Sequence, residues 1–362
     1  MHIYYFHYVS DAPDLGVSKK INAQLIAFQK AGFKTSEIAI KRDLHDSLFT
    51  KAIRHLLPGS IDENLKSIKE SVFYIRGNLA DAYYYNLYKT LRANNNIIIV
   101  EVPTFPFKDE CKGLQRLQYY LHLCWIGLVK KYINFYVGIS TNQNIYGVET
   151  ISIDNGIAVS KYALKKKLEL RNTINVIMVA HFHSFHGVDR FIQGLRDYYK
   201  NEIDKKVILH LVGDGDVLNN LHKMIDTYQL EDKCIFYGRK TGVELDSIYD
   251  NMHIGLASIG LHRINLFKAS VLKSREYSAR GLPFVTSVEI SDMPKNFKYV
   301  KYLPADESPI DISDVVKFAE KVYSEVDFQL KLRKWAEENL SWEIKMDPVV
   351  RKIKSLTGIS FL

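Results

Sequence analysis

At 362 residues the chain is longer than one ordinary hydrophobic core requires, and two domains of about 150 to 200 residues each are expected. Hydrophobic residues make up 47% and charged residues 25%, the balance of a folded globular protein, which excludes a disordered or fibrous chain. The net charge of +8 calls for an anionic partner, but zinc-finger spacing, an aromatic RNA-binding signature and a basic tail are all missing, so nucleic acid is not expected to be that partner.

The chain opens on an apolar, aromatic run, His2 to Tyr8, with no basic segment and no small-residue cleavage site. It is expected to be a buried strand, Ile3–Tyr8, and not a signal peptide. Val17–Ala31 follows with helical spacing of apolar residues and closes at Gly32. Val72–Ile75, Ile97–Val102 and Phe135–Ile139 are β-rich, and Ala80–Ala93 and Cys111–Lys131 between them are long enough for helices. Strands alternating with helices predict a mostly parallel sheet covered on both faces. The longest apolar stretch, Leu121 to Val129, is well short of the ~20 residues a membrane span needs. Cys111, Cys124 and Cys234 are odd in number and scattered, which suits a reducing cytoplasm and gives no metal spacing.

After Asn155-Gly156 and a charged stretch, Lys161–Asn172, the pattern restarts. Strand Val176–Ala180, helix Val188–Tyr199, strand Val207–Val212 and helix Val217–Tyr228 come first. Strands Cys234–Tyr237 and His253–Ser258, a helix around Lys273–Arg280 and strand Pro283–Ser287 follow. Two doubly wound domains are expected, with ligands beyond the carboxyl ends of their strands.

Four stretches combine glycine or charge with a strand end. In Asp14-Leu15-Gly16-Val17-Ser18, glycine lets the backbone approach a ligand and the helix start favours an anion, although a plain strand-to-helix turn explains the same residues. His181 to Arg190 holds three histidines in six residues, with no acidic or cysteine ligand at matching spacing. A loop offering His and Arg donors to a phosphate is expected there, and no metal. Val212-Gly213-Asp214-Gly215 makes a tight turn. From Leu261 through Arg263, Lys268, Ser270, Lys273 and Glu276 to Arg280-Gly281-Leu282-Pro283 the chain is dense in charge. On a helix, Lys273 and Glu276 share a face, so a cation for phosphate and a carboxylate for hydroxyls point at one ligand, unless they form only a surface ion pair.

Leu272-Lys273-Ser274-Arg275-Glu276-Tyr277-Ser278-Ala279-Arg280-Gly281-Leu282-Pro283-Phe284-Val285 resembles the donor-site signature of retaining GT-B glycosyltransferases of family 4. The Gly16 loop resembles that family's N-terminal glycine loop, Ser152–Ile157 its boundary stretch, and Val179 through Leu195 its block after the first strand of the second domain. The Gly-Asp-Gly turn before Asp216, and Phe236-Tyr237-Gly238-Arg239, match in order and spacing. The resemblance implies an α/β GT-B fold, two facing Rossmann-like domains with a cleft between them. The expected bounds are 1–158 for the acceptor domain, 159–340 for the nucleotide-sugar donor domain and 341–362 for a C-terminal helix packing back on the first.

It further implies transfer of a sugar, with retention, from a nucleotide diphosphate sugar (UDP-sugar favoured) to a glycan or lipid-linked acceptor in surface polysaccharide synthesis. No metal or other cofactor is required, and the setting is cytoplasmic, on the inner face of the membrane where membrane-bound. Carried over by position, Glu276 binds ribose hydroxyls, Gly238, Arg239 and Lys240 border the base, and Gly16 approaches the diphosphate from across the cleft. Two departures stand out. Lys268 occupies the place of a glutamate eight residues before Glu276, and His181 and His186 replace a phosphate-binding arginine and lysine. Arg190, Arg263, Lys268, Ser270 and Lys273 complete the expected donor site, one of the three residues Arg263, Lys268 and Lys273 restoring the lost charge. Glu101 and Thr104, at the end of a first-domain strand, are the expected acceptor contacts, with a surface carboxylate the plainer account of Glu101. His45–Leu57 and Cys111–Tyr132 interleave apolar and basic residues as membrane-surface helices do, and as ordinary core helices also do. Lys268 also opens an alternative, a non-catalytic GT-B-like partner subunit binding nucleotide or glycan, and a nucleotide-sugar epimerase on the same fold is a second rival.

Overall fold

The computed structural model describes residues 1–9, 15–41, 60–77, 79–106, 115–141 and 143–358. The expected helix His45–Leu57 lies outside them, as does the start of Cys111–Tyr132. The chain divides into two compact units, Met1–Asn155 with Trp342–Leu362, and Gly156–Ser341.

In the first unit, strands β1 (His2–Val9), β2 (Lys34–Lys41), β3 (Val72–Arg76), β4 (Ile97–Val102), β5 (Phe135–Ile139) and β6 (Thr150–Ile153) form one sheet in the order β2-β1-β3-β4-β5-β6. Every pairing is parallel. β3 to β5 are runs of β-branched and aromatic residues buried on both faces, as a helix-covered parallel sheet demands. β2 and β6 are the strands that the search for apolar runs passes over. Both lie at edges and are partly polar, so neither offers the continuous apolar signal of a central strand. Helices α1 (Leu15–Lys30), α2 (Glu63–Ser67), α3 (Ala82–Ala93) and α4 (Gln115–Val129) accompany the sheet. Asp81 caps α3 by accepting from the Tyr84 amide at 3.0 Å. The last helix, α11 (Trp342–Thr357), belongs to this unit and buries Trp342, Met346, Val349 and Ile353. Its Glu343 pairs with Lys30 of α1 at 2.5 Å, and Lys352 with Glu149 at 2.7 Å.

The second unit repeats the architecture with β7 (Thr173–His181), β8 (Lys206–Asp214), β9 (Cys234–Phe236), β10 (Ile254–Leu256), β12 (Phe284–Thr286) and β14 (Val300–Tyr302). Their order is β14-β12-β10-β7-β8-β9, all parallel, and a short pair β11 (Lys268–Ala269) and β13 (Glu289–Ile290) stands apart. The chain starts this sheet in its middle at β7, builds outward through β8 and β9, then returns to β10 on the other side. Beyond the carboxyl ends of β7 and β10 the connections diverge, and that opening is where such sheets hold ligands. Helices α5 (Val188–Tyr198), α6 (Leu218–Tyr228), α7 (Gly242–Tyr249), α8 (Leu272–Ala279), α9 (Ile312–Tyr323) and α10 (Phe328–Asn339) cover it.

Helix α8 carries the densest cluster of expected ligand residues, and Tyr277 fixes its seat. The buried phenol donates toward the carbonyls of Ile177 and Leu256, at 3.2 and 3.0 Å, on the two strands that flank the opening. Gly255 on β10 makes room for that ring, because a Cβ there would stand 2.6 Å from Tyr277 Cδ2. Gly255→Ala is therefore expected to lower the stability of the second unit by about 1 to 3 kcal/mol, measured by urea unfolding. Tyr277→Phe, which keeps the volume, is expected to cost about 1 kcal/mol.

Candidate functional site

The site is built on two loops of the second unit. After β7 the chain runs through buried Phe182 into a single 3-10 turn, Ser184–His186, and ends it at Gly187 with φ +73°. A Cβ at Gly187 would lie 2.7 Å from the amide nitrogen of Gly260, so glycine at both positions lets the loops after β7 and β10 touch. After β8, Gly213 and Gly215 adopt φ +130° and +148°, and a Cβ on them would meet the carbonyl oxygens of Ala180 and Phe182 at 1.8 and 2.2 Å. The Gly-Asp-Gly turn is thus set by the backbone of its neighbour, and it brings Asp214 and Asp216 beside the histidines.

His181 Nδ1 lies 2.6 Å from Asp214 Oδ1, and Arg239 Nε lies 3.2 Å from the other oxygen. The histidine's hydrogen bond, then the arginine's charge, hold the Asp214 carboxyl below its usual range. His183 Nδ1 is 3.3 Å from Asp216 Oδ2. His181, His183 and Asp216 have ligand atoms within 4.8 Å of one another, the group among the described residues closest to a metal-binding set. The acidic neighbour that sequence spacing did not offer comes from the adjacent strand end. Both imidazoles already have carboxylate partners, which accounts for the cluster without an ion.

His186 is different. It is buried at 6% exposure, and burial first, then the charge of Lys273, pushes its pKa down to about 3, so it is neutral at physiological pH. The His183 amide donates to His186 Nδ1 at 3.0 Å. A neutral ring that accepts on Nδ1 carries its proton on Nε2. That Nε2 lies 3.1 Å from Lys273 Nζ. Burial lowers the Lys273 ammonium to about 8, with the nearby Glu276 carboxylate opposing the shift. Below that pH, two donors face one another with no acceptor between them. A phosphate oxygen is the group that would take both.

The remaining expected donor residues have distinct environments. Glu276 shares α8 with Lys273 and accepts from Arg280 Nε at 3.1 Å. Arg263 is clamped by Asp189 and Glu307, at 2.7 and 2.6 Å, and also donates to the Ser184 carbonyl. Arg190 is buried at 1% exposure, and its guanidinium is spent on the carbonyls of Ser308, Ile259 and Pro304 and on Asp306. These two arginines hold loops together and are directed at the protein, contrary to the expectation that they meet a ligand. Lys268 pairs with Glu289 at 3.0 Å on the β11–β13 ribbon, Ser270 is buried just before α8, and Lys240 pairs with Glu244 at 3.1 Å. Gly238, with φ +64°, has open space where a Cβ would point, and its carbonyl receives the Gly213 amide at 2.8 Å. Sequence spacing could not supply Asp189 and Glu307, which reach Arg263 from 74 and 44 residues away.

In the first unit the helix expected from Val17 begins at Leu15. Gly16 is the second residue of α1, and Asp14 lies outside the described residues. Glu101 is neither a surface carboxylate nor open to an acceptor, being fully buried. It accepts from Lys20 at 2.9 Å, Arg76 at 3.2 Å, Gln24 at 2.6 Å and Tyr74 at 2.8 Å. Lys20 and Arg76 keep its carboxyl low against the opposing effect of burial. Thr104 is exposed, on the rim of a cavity in this unit.

Residues 161–319 match the family described as Glycosyl transferases group 1, a segment that falls within the second unit. The fold of the whole chain is that of GT-B glycosyltransferases. A glycosyltransferase from Rickettsia africae ESF-5 superposes with a TM-score of 0.61 at 13% identity, over 99% of each chain. Anabaena Alr3699/HepE, solved in complex with UDP, gives 0.61 at 10% identity over 98% of this chain and 100% of the other. The lipopolysaccharide outer core galactosyltransferase WaaB, in its apo form, gives 0.61 at 14% identity over 97% and 100%. Among curated proteins no sequence matches this one. The GT-B fold expected from the motifs of α8 and its surroundings is the fold of these structures, and the family match spans the segment that carries those motifs.

A lysine held near pKa 8 in the fold, against 10.5 free, weakens the native state wherever both states are protonated. That cost is full below pH 8 and is relieved between 8 and 10.5, where only the unfolded chain stays charged. Lys273→Met is accordingly expected to raise the melting temperature at pH 6.5, with a gain that shrinks by pH 9.5. Arg263→Met is expected to lower it by several degrees, because Asp189 and Glu307 lose their common partner.

Proposed function

We propose that the chain is a retaining, metal-independent glycosyltransferase that moves a sugar from a nucleoside diphosphate sugar, UDP-linked, to a glycan or lipid-linked acceptor in surface polysaccharide synthesis. The observation that carries the reading is the pair of facing donors on Lys273 and His186, beside Glu276 on the same helix. The second unit binds the donor and the first the acceptor, in the cytoplasm at the inner face of the membrane. Structures of Anabaena Alr3699/HepE with UDP and with UDP-glucose support the choice of base.

The difficult step is departure of the diphosphate, which gathers charge as the bond from the anomeric carbon to its oxygen breaks. Lys273 supplies the positive charge at that oxygen, His186 adds a neutral donor, and both are fixed before the reaction starts. The bond's electron pair leaves with the phosphate. The acceptor oxygen bonds to the anomeric carbon on the face just vacated, and its proton passes to the departing phosphate oxygen. No side-chain base is needed. Glu276 binds the ribose hydroxyls, and Gly238, Arg239 and Lys240 border the base. Lys268, which stands where the resemblance places a glutamate, favours a second reading, a non-catalytic partner subunit that binds nucleotide without turnover.

Calorimetry with UDP and with inorganic pyrophosphate separates the roles. Lys273→Met is expected to weaken both ligands by about 10- to 100-fold, the scale of a charge-assisted hydrogen bond. Glu276→Gln should weaken UDP and leave pyrophosphate unchanged. EDTA should change neither. Unaltered affinity of both ligands in Lys273→Met would overturn the site assignment. Release of UDP from a UDP-sugar by the isolated chain supports the transferase, whereas nucleotide binding with no release from any of a panel of UDP-sugars and acceptor extracts favours the partner subunit.

A further inference from the structure

The first unit holds a cavity of about 230 Å³ that the donor chemistry does not use. It lies between the sheet and helix α4, with Val100, Val102, Ile126, Val129 and Ile133 among its walls. Three phenols, Tyr88, Tyr136 and Tyr146, interrupt this aliphatic lining. Tyr136 is 2% exposed and its hydroxyl has no hydrogen-bond partner among the described residues, a costly state for a buried polar group. Tyr146 receives a defined contact: the Ala80 amide donates to His122 Nδ1 at 2.6 Å, and His122 Nε2 lies 2.9 Å from the Tyr146 hydroxyl. A neutral His122 that accepts on Nδ1 donates from Nε2, so Tyr146 keeps its own hydrogen for another acceptor. Burial raises the pKa of Tyr136 and Tyr146, so each stays a donor across the physiological range. The cavity therefore asks for an apolar body that ends in an acceptor oxygen. A water cluster fits poorly, since each buried water needs two to four polar partners.

The opposite face of the same helix indicates where such a ligand comes from. Tyr120, Leu123 and Leu128 are 55%, 36% and 48% exposed, with Cys124 and Gly127 exposed between them. The sequence from Leu117 to Val129 contains no Asp, Glu, Lys or Arg. Exposed Arg116 stands at one end of this apolar stripe, and exposed Lys130 and Lys131 at the other. An apolar stripe flanked by basic residues is the pattern of a helix lying on an anionic bilayer.

We propose that helix α4 rests on the membrane surface and that the cavity behind it takes one acyl chain of a membrane lipid, roughly eight carbons deep at interior packing density, with the chain's carbonyl oxygen accepting from Tyr146. This site is independent of the nucleotide site, and its test does not use nucleotide.

The probe is monodecanoyl glycerol, below its aggregation concentration, titrated into the full chain by calorimetry. Saturable binding is expected. Ile126→Trp, which fills the cavity, should weaken it at least 10-fold, and Tyr146→Phe, which preserves shape, about 3- to 10-fold. Circular dichroism confirms that both variants are folded. In a second arm the chain is sedimented with vesicles of phosphatidylcholine and phosphatidylglycerol at 3:1. Leu123→Asp with Leu128→Asp should abolish sedimentation and leave monodecanoyl glycerol binding intact. No saturable binding, or binding that neither cavity variant alters, overturns the acyl site. Probe binding by a chain that does not sediment with vesicles overturns the assignment to a membrane lipid.

Discussion

Two hydrogen-bond donors, 3.1 Å apart and with no acceptor between them, are the constraint around which the second unit is organised. The ammonium of Lys273 and the Nε2–H of neutral His186 repel one another and agree only on an anion. The contact persists because each partner is held from behind. His186 is locked by the His183 amide on a turn that Gly187 alone can close against Gly260. Lys273 rides on α8, which Tyr277 ties to β7 and β10. Stability is given up at this point for a site formed before its ligand arrives, as preorganised electrostatic sites require.

Positive charge in this unit falls into two kinds. Arg190 and Arg263 are consumed by carbonyls and carboxylates, and they act as clamps that shape the loops after β7 and β10. Lys273 is the cation whose surroundings leave work for a ligand. The resemblance places the diphosphate charges on the loop that here carries His181 and His186, and the histidines no longer supply them. In the proposed reading the charge has moved across the opening onto α8, and His186 has become the neutral partner that aims it.

Most of the architecture was legible in the sequence because parallel sheets bury their central strands on both faces. Ile97–Val102, Phe135–Ile139 and Val207–Val212 are runs made mostly of apolar residues, and each is a strand within a few residues of its expected bounds. β2 was not legible, since an edge strand with the sequence KTSEIAIK has no such run. Lys273 and Glu276 were legible as a pair because helical spacing is local. The partners of Arg190, Arg263 and Glu101 were not, because they come from other elements far along the chain. Glu101 shows the point most sharply. A carboxylate near a strand end suggested a surface, whereas Lys20, Gln24, Tyr74 and Arg76 enclose it completely.

The first unit resembles the second in plan and differs in chemistry, its strand ends leading to a buried ion network and an aliphatic cavity instead of facing donors. That division suits the proposed reading, in which one unit holds an anionic donor and the other an amphiphilic acceptor. The central claim concerns the charge state of Lys273, and it can be watched directly. Reductive ¹³C-methylation of the lysines, with Lys273→Arg to assign the signal, gives the titration of this amine by NMR. The account predicts a midpoint near 8 in the free protein and a clear upward move when UDP is bound, as an anion accepts from the ammonium. A midpoint near the ordinary lysine value that UDP does not change would contradict it.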